Sequence, residues 1–184
     1  MADKERTTTI NGDLKLKDDR VFGDKDGEGE NVVVKGNIIS DGYSITVYDG
    51  NLRAHDIRLA GGSINALNIY AHNIDAHNID ASNIYVTGNI NLSGDIRAGK
   101  ISARNIDARN ILADHIKVID NLKVVDVIVD GTISASNIYY YAICIAYQNL
   151  TYNTIHHERP NAIHLALDKV PGAKKLDLPH DVIY

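Results

Sequence analysis

From Ser63 onward, apolar and polar positions recur with a period of five. The chain reads SINAL NIYAH NIDAH NIDAS NIYVT, then GNINLS and GDIRAG, then KISAR NIDAR NILAD. The unit is Asn-Ile-x-Ala-x, with Ile64, Ile69, Ile74, Ile79 and Ile84 evenly spaced. Two longer steps lead to Ile90 and Ile96, each with one added glycine (Gly88, Gly94), before the regular step resumes at Ile101, Ile106, Ile111 and Ile116. The pattern loosens through Leu122 and Ile128, returns at Ile133, Ile138 and Ile143, and extends back to Leu52 and Ile57. A period of five matches neither the 3.6 of a helix nor the 2.0 of a long strand. It fits a short extended piece followed by a corner. Within Ile-x-Ala the first and third side chains share a side, and the two residues between units turn the chain.

The predicted fold is therefore all-β: a right-handed parallel β-helix. Four units per coil give a square solenoid of about 20 residues per turn, with strands stacked at the ~4.8 Å sheet spacing. Ile and Ala point inward and the middle residue of each unit faces solvent. Asn suits the corners because it tolerates left-handed backbone geometry and because stacked amides form ladders. The added glycines read as bulged corners. The chain divides into an N-terminal β cap with leading strands (1–50), the repeat solenoid (51–156) and a short irregular tail (157–184), which holds all three prolines.

Composition follows from this packing rule. There are 25 Ile and 18 Asn, one Phe and no Trp, so the core gains its fit from regularity rather than from large irregular side chains. Ten Tyr are present, and five of them fall between Tyr139 and Tyr152, where the Ala rule breaks down. The net charge of -5 argues against a nucleic-acid binder that relies on a basic field. A single cysteine, Cys144, excludes an intramolecular disulfide and a Cys-based zinc site and points to a reducing cytoplasm. The N-terminus shows no signal-peptide pattern, and no apolar run reaches membrane-spanning length.

The pentads resemble the pentapeptide-repeat family, whose fold is a quadrilateral β-helix. The likeness covers a bit over half the chain and departs at one point: here Ile precedes Ala, as in Asn73-Ile74-Asp75-Ala76-His77, so the inward pair is swapped. Similar N-I-x-A runs occur in proteins of gut bacteria and their phages. A second likeness, to the bactofilins, rests on VVVKGNI and VTGNINLSGDI. The first resemblance implies a C-terminal homodimer and a protein partner among DNA-acting enzymes. The second implies filaments.

Candidate interaction residues lie near both ends. Asp18, Asp19, Asp24, Asp26, Glu28 and Glu30 form an acidic segment, read as a partner-binding loop rather than a calcium site because the regular ligand spacing is missing. Tyr139, Tyr140, Tyr141, Ile143, Ile145 and Tyr147 are the candidate self-association surface. With four units per coil, His55 and His77 stack on one corner. That pair is read as a solvated corner rather than a metal site, since no third ligand follows. His156, His157, Glu158 and His164 lack an evident nucleophile to serve, and Cys144 falls in an outward position. Read at four-unit intervals, the outward residues give mixed faces, such as Asp75, Arg97, Lys117 and Tyr139, and no acidic stripe of a DNA mimic.

The expected function is that of a non-enzymatic rigid solenoid, without cofactor or metal, that binds another macromolecule. The resemblance narrows this to a mobile-element inhibitor of a nuclease, CRISPR effector or topoisomerase. A self-assembling filament is the alternative. A polysaccharide-active β-helix enzyme is remote, because tight pentads leave no room for catalytic side loops.

Overall fold

A computed structural model describes residues 6–24 and 29–166. Its nineteen strands form one parallel sheet that winds as a β-solenoid of about 8 turns, with no helix among the described residues. The alternation expected within each unit is present: Ile64, Ile69, Ile74, Ile79, Ile84 and Ile90 are almost completely buried, the residue two positions later (Ala66, Ala71, Ala76, Ala81, Val86, Leu92) is buried, and the residue between them is turned outward.

The number of sides differs from the square expectation. Ile64 pairs with Ile79, Ile79 with Ile96 and Ile96 with Ile111, steps of 15, 17 and 15 residues. A turn takes about 17 residues rather than about 20, so three pentads, not four, close it. The five-residue period sets the length of a side. The number of sides is set by the corner angle, which the pentad does not encode. Each of the three faces contributes a stacked column of buried residues, Ile in the middle turns and Leu, Val or Cys elsewhere, followed two residues later by a second buried column that is often Ala.

The three faces are defined by their outward columns. Face I carries Thr46, Asn65, Asp80, Arg97, Leu112, Ile128, Ile145 and Leu165 in successive turns. Face II carries Arg53, Tyr70, Tyr85, Ser102, Lys117, Ser134 and Thr151. Face III carries Arg58, Asp75, Asn91, Asp107, Lys123, Tyr139 and His156.

Both ends of the described chain continue this sheet. Arg6–Ile10, Leu14–Lys15 and Arg20–Phe22 pair in register with the next turn, through wider steps such as Arg20 to Ile45. Thr154–His157 and Ile163–Ala166 pair with Asn137–Ala146, so the stretch after residue 156 adds strands before the description stops. Residues 1–5, 25–28 and 167–184 lie outside it.

Corner asparagines act through hydrogen bonds, not through left-handed backbone. Among the described residues the one non-glycine with positive φ is Asp49. The corner before face III instead carries a polar spine through Asp13, Asn37, Asp56, Asn73, Asn89, Asn105, Asn121, Asn137 and Thr154. In it Asn105 Nδ2 donates to Asn89 Oδ1 at 2.8 Å, Asn121 Nδ2 to Asn105 Oδ1 at 2.9 Å, and Asn137 Nδ2 to Asn121 Oδ1 at 3.0 Å. A shorter ladder joins Asn31, Asn51, Asn68 and Asn83 at a second corner. The third corner alternates Asp, Ser and Asn, as where Asn110 Nδ2 donates to Asp95 Oδ1 at 2.9 Å. Amides stack well here because each offers a donor on one side and an acceptor on the other, matching the strand spacing.

Gly88 and Gly94 follow from the same ladders. Neither has positive φ, but a Cβ on Gly88 would sit 2.3 Å from Asn73 Oδ1, and one on Gly94 would sit 2.1 Å from Asn78 Oδ1. The added corner residue must be glycine so that the ladder amide beneath it can pass.

Two stability predictions follow. Asn105→Ala removes a half-buried rung and leaves neighbouring amides unpaired, which costs about 1–3 kcal/mol, whereas Asn91→Ala on exposed face III stays within about 0.5 kcal/mol; thermal melts of the two variants measure the difference. Gly88→Ala lowers the melting temperature as well, and the double variant with Asn73→Ala loses less than the sum of the two single losses, because the sites share the clash with Asn73 Oδ1 although the one with His72 O remains.

Candidate interaction surface

The three-sided register gathers apolar residues that a four-unit reading scatters. On face I the outward column changes from Asn65, Asp80 and Arg97 to Leu112, Ile128, Ile145 and Leu165. Leu112, Ile128 and Ile145 are half-buried and Leu165 is exposed. Val125 and Tyr141, exposed on the adjoining corner, and Ile163, 50% exposed beside Leu165, widen this strip into an apolar ridge. Single exposed apolar residues are unremarkable on any protein, but a contiguous run over four turns is a candidate interaction surface. Reading outward residues every three units brings Leu112 and Ile128 into one column, whereas Ile145 joins it only through the register shift between Val124 and Asp126.

Next to the ridge a groove of about 310 Å³ runs along the corner between faces III and I. Leu92, Ala108, Val124 and Tyr140 line its floor, and Tyr139, Tyr141 and the Lys123–Asp107 pair, 3.3 Å apart, form its walls. Tyr139 stacks on His156 at 5.1 Å, and the Arg159 guanidinium lies 5.8 Å from the Tyr141 ring. Both walls are thus packed against neighbouring side chains.

The Tyr-rich segment divides between the inside and the outside. Tyr139 and Tyr141 are exposed and Ile145 belongs to the ridge. Ile143 and Tyr147 are half-buried at corners. Tyr140 is buried, 1% exposed, in the column that Ala76 and Ala108 occupy in earlier turns. Its hydroxyl lies 3.1 Å from His164 Nδ1, and burial, with Cys144 and Tyr152 nearby, pushes its pKa up. Tyr140 is thus a core residue that reaches the surface only at the floor of the groove. Nor is the segment the last coil, since Thr154–His157 and Ile163–Ala166 pair beyond it.

Cys144 also turns inward, against the outward position read from the pentads. Val124 pairs with Tyr140, but Asp126 pairs with Ile143, so one extra residue is accommodated between them as a bulge. Because side chains alternate, a one-residue slip exchanges inside and outside. Cys144 takes the central column below His164, fully buried, while Ile143 moves to the corner. Burial pushes the thiol from its ordinary 9.0 up to about 12.

The acidic residues near the N-terminus are dispersed. Asp18 and Asp24 are exposed. Asp19 accepts the Ser44 backbone N–H at 2.7 Å, and Glu30 accepts the Gly23 N–H at 2.9 Å and the Thr8 hydroxyl, so these two carboxylates hold corners together. Asp26 and Glu28 lie outside the described residues. The histidine stack is His55 with His72, ring centroids 5.5 Å apart, rather than His55 with His77. His72 Nδ1 then meets Thr87 Oγ1 and His77 Nδ1 meets Ser93 Oγ, each at 2.8 Å, so the imidazoles serve as corner hydrogen-bonding groups. Among the described residues no three His, Cys, Asp or Glu side chains come together in a metal-binding group, and no helix is long and apolar enough to cross a membrane.

In comparisons with known proteins the chain matches no family model, no curated protein and no solved structure.

The position of Cys144 is open to a direct test. At pH 8 the native protein resists a chromogenic disulfide reagent and reacts fully once unfolded in guanidinium; rapid native labelling places the thiol outside the core. The raised pKa also sets a sign. The protonated thiol's contribution to stability is intact below about pH 9 and is lost as pH rises toward about 12.

Proposed function

We propose that the protein is a non-catalytic, rigid scaffold that binds a protein partner through the ridge and groove on its later turns. The observation that carries this reading is the apolar column Leu112, Ile128, Ile145 and Leu165, stacked at strand spacing on a surface that needs no apolar residues for its own stability. The occupant that fits is an apolar face of another protein, with one side chain seated in the groove beside Tyr139 and Tyr141. Aromatic walls around an apolar strip are the composition of an interface core. A solenoid suits this work because every turn is braced by its neighbours, so the strip is presented with little ordering cost on binding.

The narrower reading, an inhibitor of a nuclease, CRISPR effector or topoisomerase, draws its support from the repeat resemblance and from no feature of the surface. Self-association has one supporting observation. The ridge runs up to Ile163–Ala166, the last described strand, and an edge strand is where a second copy would add its own strand.

A double variant, Leu112→Asp with Ile145→Asp, tests the binding reading. Both sites are outward, so the variant keeps its β-sheet circular dichroism and loses the proteins retained by the wild type from a lysate of the source cells. Equal retention by both forms removes the ridge as the docking surface. Light scattering across a concentration series, on the same pair, separates self-association: growth in mass that the double variant lacks assigns the ridge to a second copy.

A further inference from the structure

Face II carries a different surface, built from stacked planar groups. The Arg53 guanidinium carbon lies 4.9 Å from the centre of the Tyr70 ring, and Tyr70 and Tyr85 stack with centroids 5.3 Å apart and planes 14° from parallel. The column then stops. The next register partner of Tyr85 is the small Ser102, and beyond it is Lys117. Tyr70 covers one side of the Tyr85 ring, yet Tyr85 remains 41% exposed, so its other side, toward Ser102, is open. Two strand steps separate Tyr85 from Lys117, which leaves a slot roughly 9–10 Å high floored by Ser102.

Charge frames this slot. Lys100, at the corner position that pairs with Asn83, and Arg104, in the bend just after the strand, lie two residues either side of Ser102 and are exposed. Lys100, Arg104 and Lys117 are all exposed, and none of them forms an ion pair among the described residues, in contrast to Arg58 and Lys123. The niche therefore offers one open aromatic face, a hydroxyl floor and three exposed cations around it, with Asp120, whose backbone N–H donates to Arg104 O at 2.9 Å, beyond them.

We infer that this niche binds an aromatic side chain flanked by carboxylates, as presented by an acidic segment of a protein. The ring stacks on Tyr85 and continues the Arg53–Tyr70–Tyr85 column, and neighbouring acids meet Lys100, Arg104 and Lys117. Stacking and cation contact reinforce one another here, because the column places the ring between a π face and an ammonium group. A single-stranded nucleic acid fits less well. Only one aromatic face is open, and Asp114 and Asp120 interrupt any basic track beyond the three cations. The site is separate from the face I ridge and does not depend on it.

The absence of Trp from the chain makes the test direct. A peptide Glu-Asp-Trp-Asp-Glu is titrated with the protein at low ionic strength, and its Trp emission is followed. Saturable binding is expected, weakened roughly threefold to tenfold by Tyr85→Ala, the range of one aromatic stack, and abolished by Ser102→Tyr, which fills the slot by extending the column. A Glu-Asp-Ala-Asp-Glu competitor displaces the probe poorly. Lack of saturable binding by the wild type, or titrations unchanged in both variants, overturns the assignment. So does tighter binding of oligothymidylate than of the peptide, which gives the niche to single-stranded nucleic acid. Neither variant touches the ridge, so this outcome and that of the ridge variants are read independently.

Discussion

The structure depends on parallel strand stacking held in exact vertical register. Most inward and corner residues lie above a residue of similar kind one turn earlier, and the core and the polar spine follow from that superposition. Ile over Ile fills the centre without large side chains. Asn over Asn satisfies corner polar groups that would otherwise face each other across a strand step. The corner amides matter most where the chain changes direction, since sheet hydrogen bonds are weakest there and a buried polar group without a partner is costly. The spine from Asp13 to Thr154 runs nearly the whole described length, so register is checked at each turn by a group that tolerates no slip.

Inside and outside then follow separate rules. The interior is built almost entirely from Ile, Val, Leu and Ala, with Phe22, Tyr140 and Cys144 as exceptions. The exterior is free to vary from turn to turn, and its three columns have diverged: apolar toward the later turns on face I, aromatic then cationic on face II, mixed charge on face III. A solenoid separates stability from recognition more completely than a globular domain does, because a change in an outward column disturbs neither the Ile stack nor the amide spine.

Much of this was legible in the chain. The five-residue spacing of Ile64 to Ile84 identified short parallel strands joined by corners, and the order Ile-x-Ala identified the inward pair. The count of sides was not legible, because a pentad specifies how long a side is while the corner angle emerges from packing among three faces. That error carried forward. Grouping outward residues by four placed Leu112 with Tyr70 and Lys117 with Asp75, which concealed both the ridge and the Tyr85 niche. Cys144 was misplaced for a second reason: the extra residue near Tyr141 leaves composition unchanged and alters only the phase of the chain.

That bulge has a wider consequence. A strand has two states at each position, in or out, and a single insertion inverts every position up to the next corner. At Tyr141–Ala142 it moves a thiol inside and brings Ile145 out onto the ridge in one step. For a protein of this architecture, shifts of phase offer a route to new surfaces that substitutions do not. One inserted residue replaces a whole segment's exposed set with the set that had been hidden, while the backbone path on either side stays as it was.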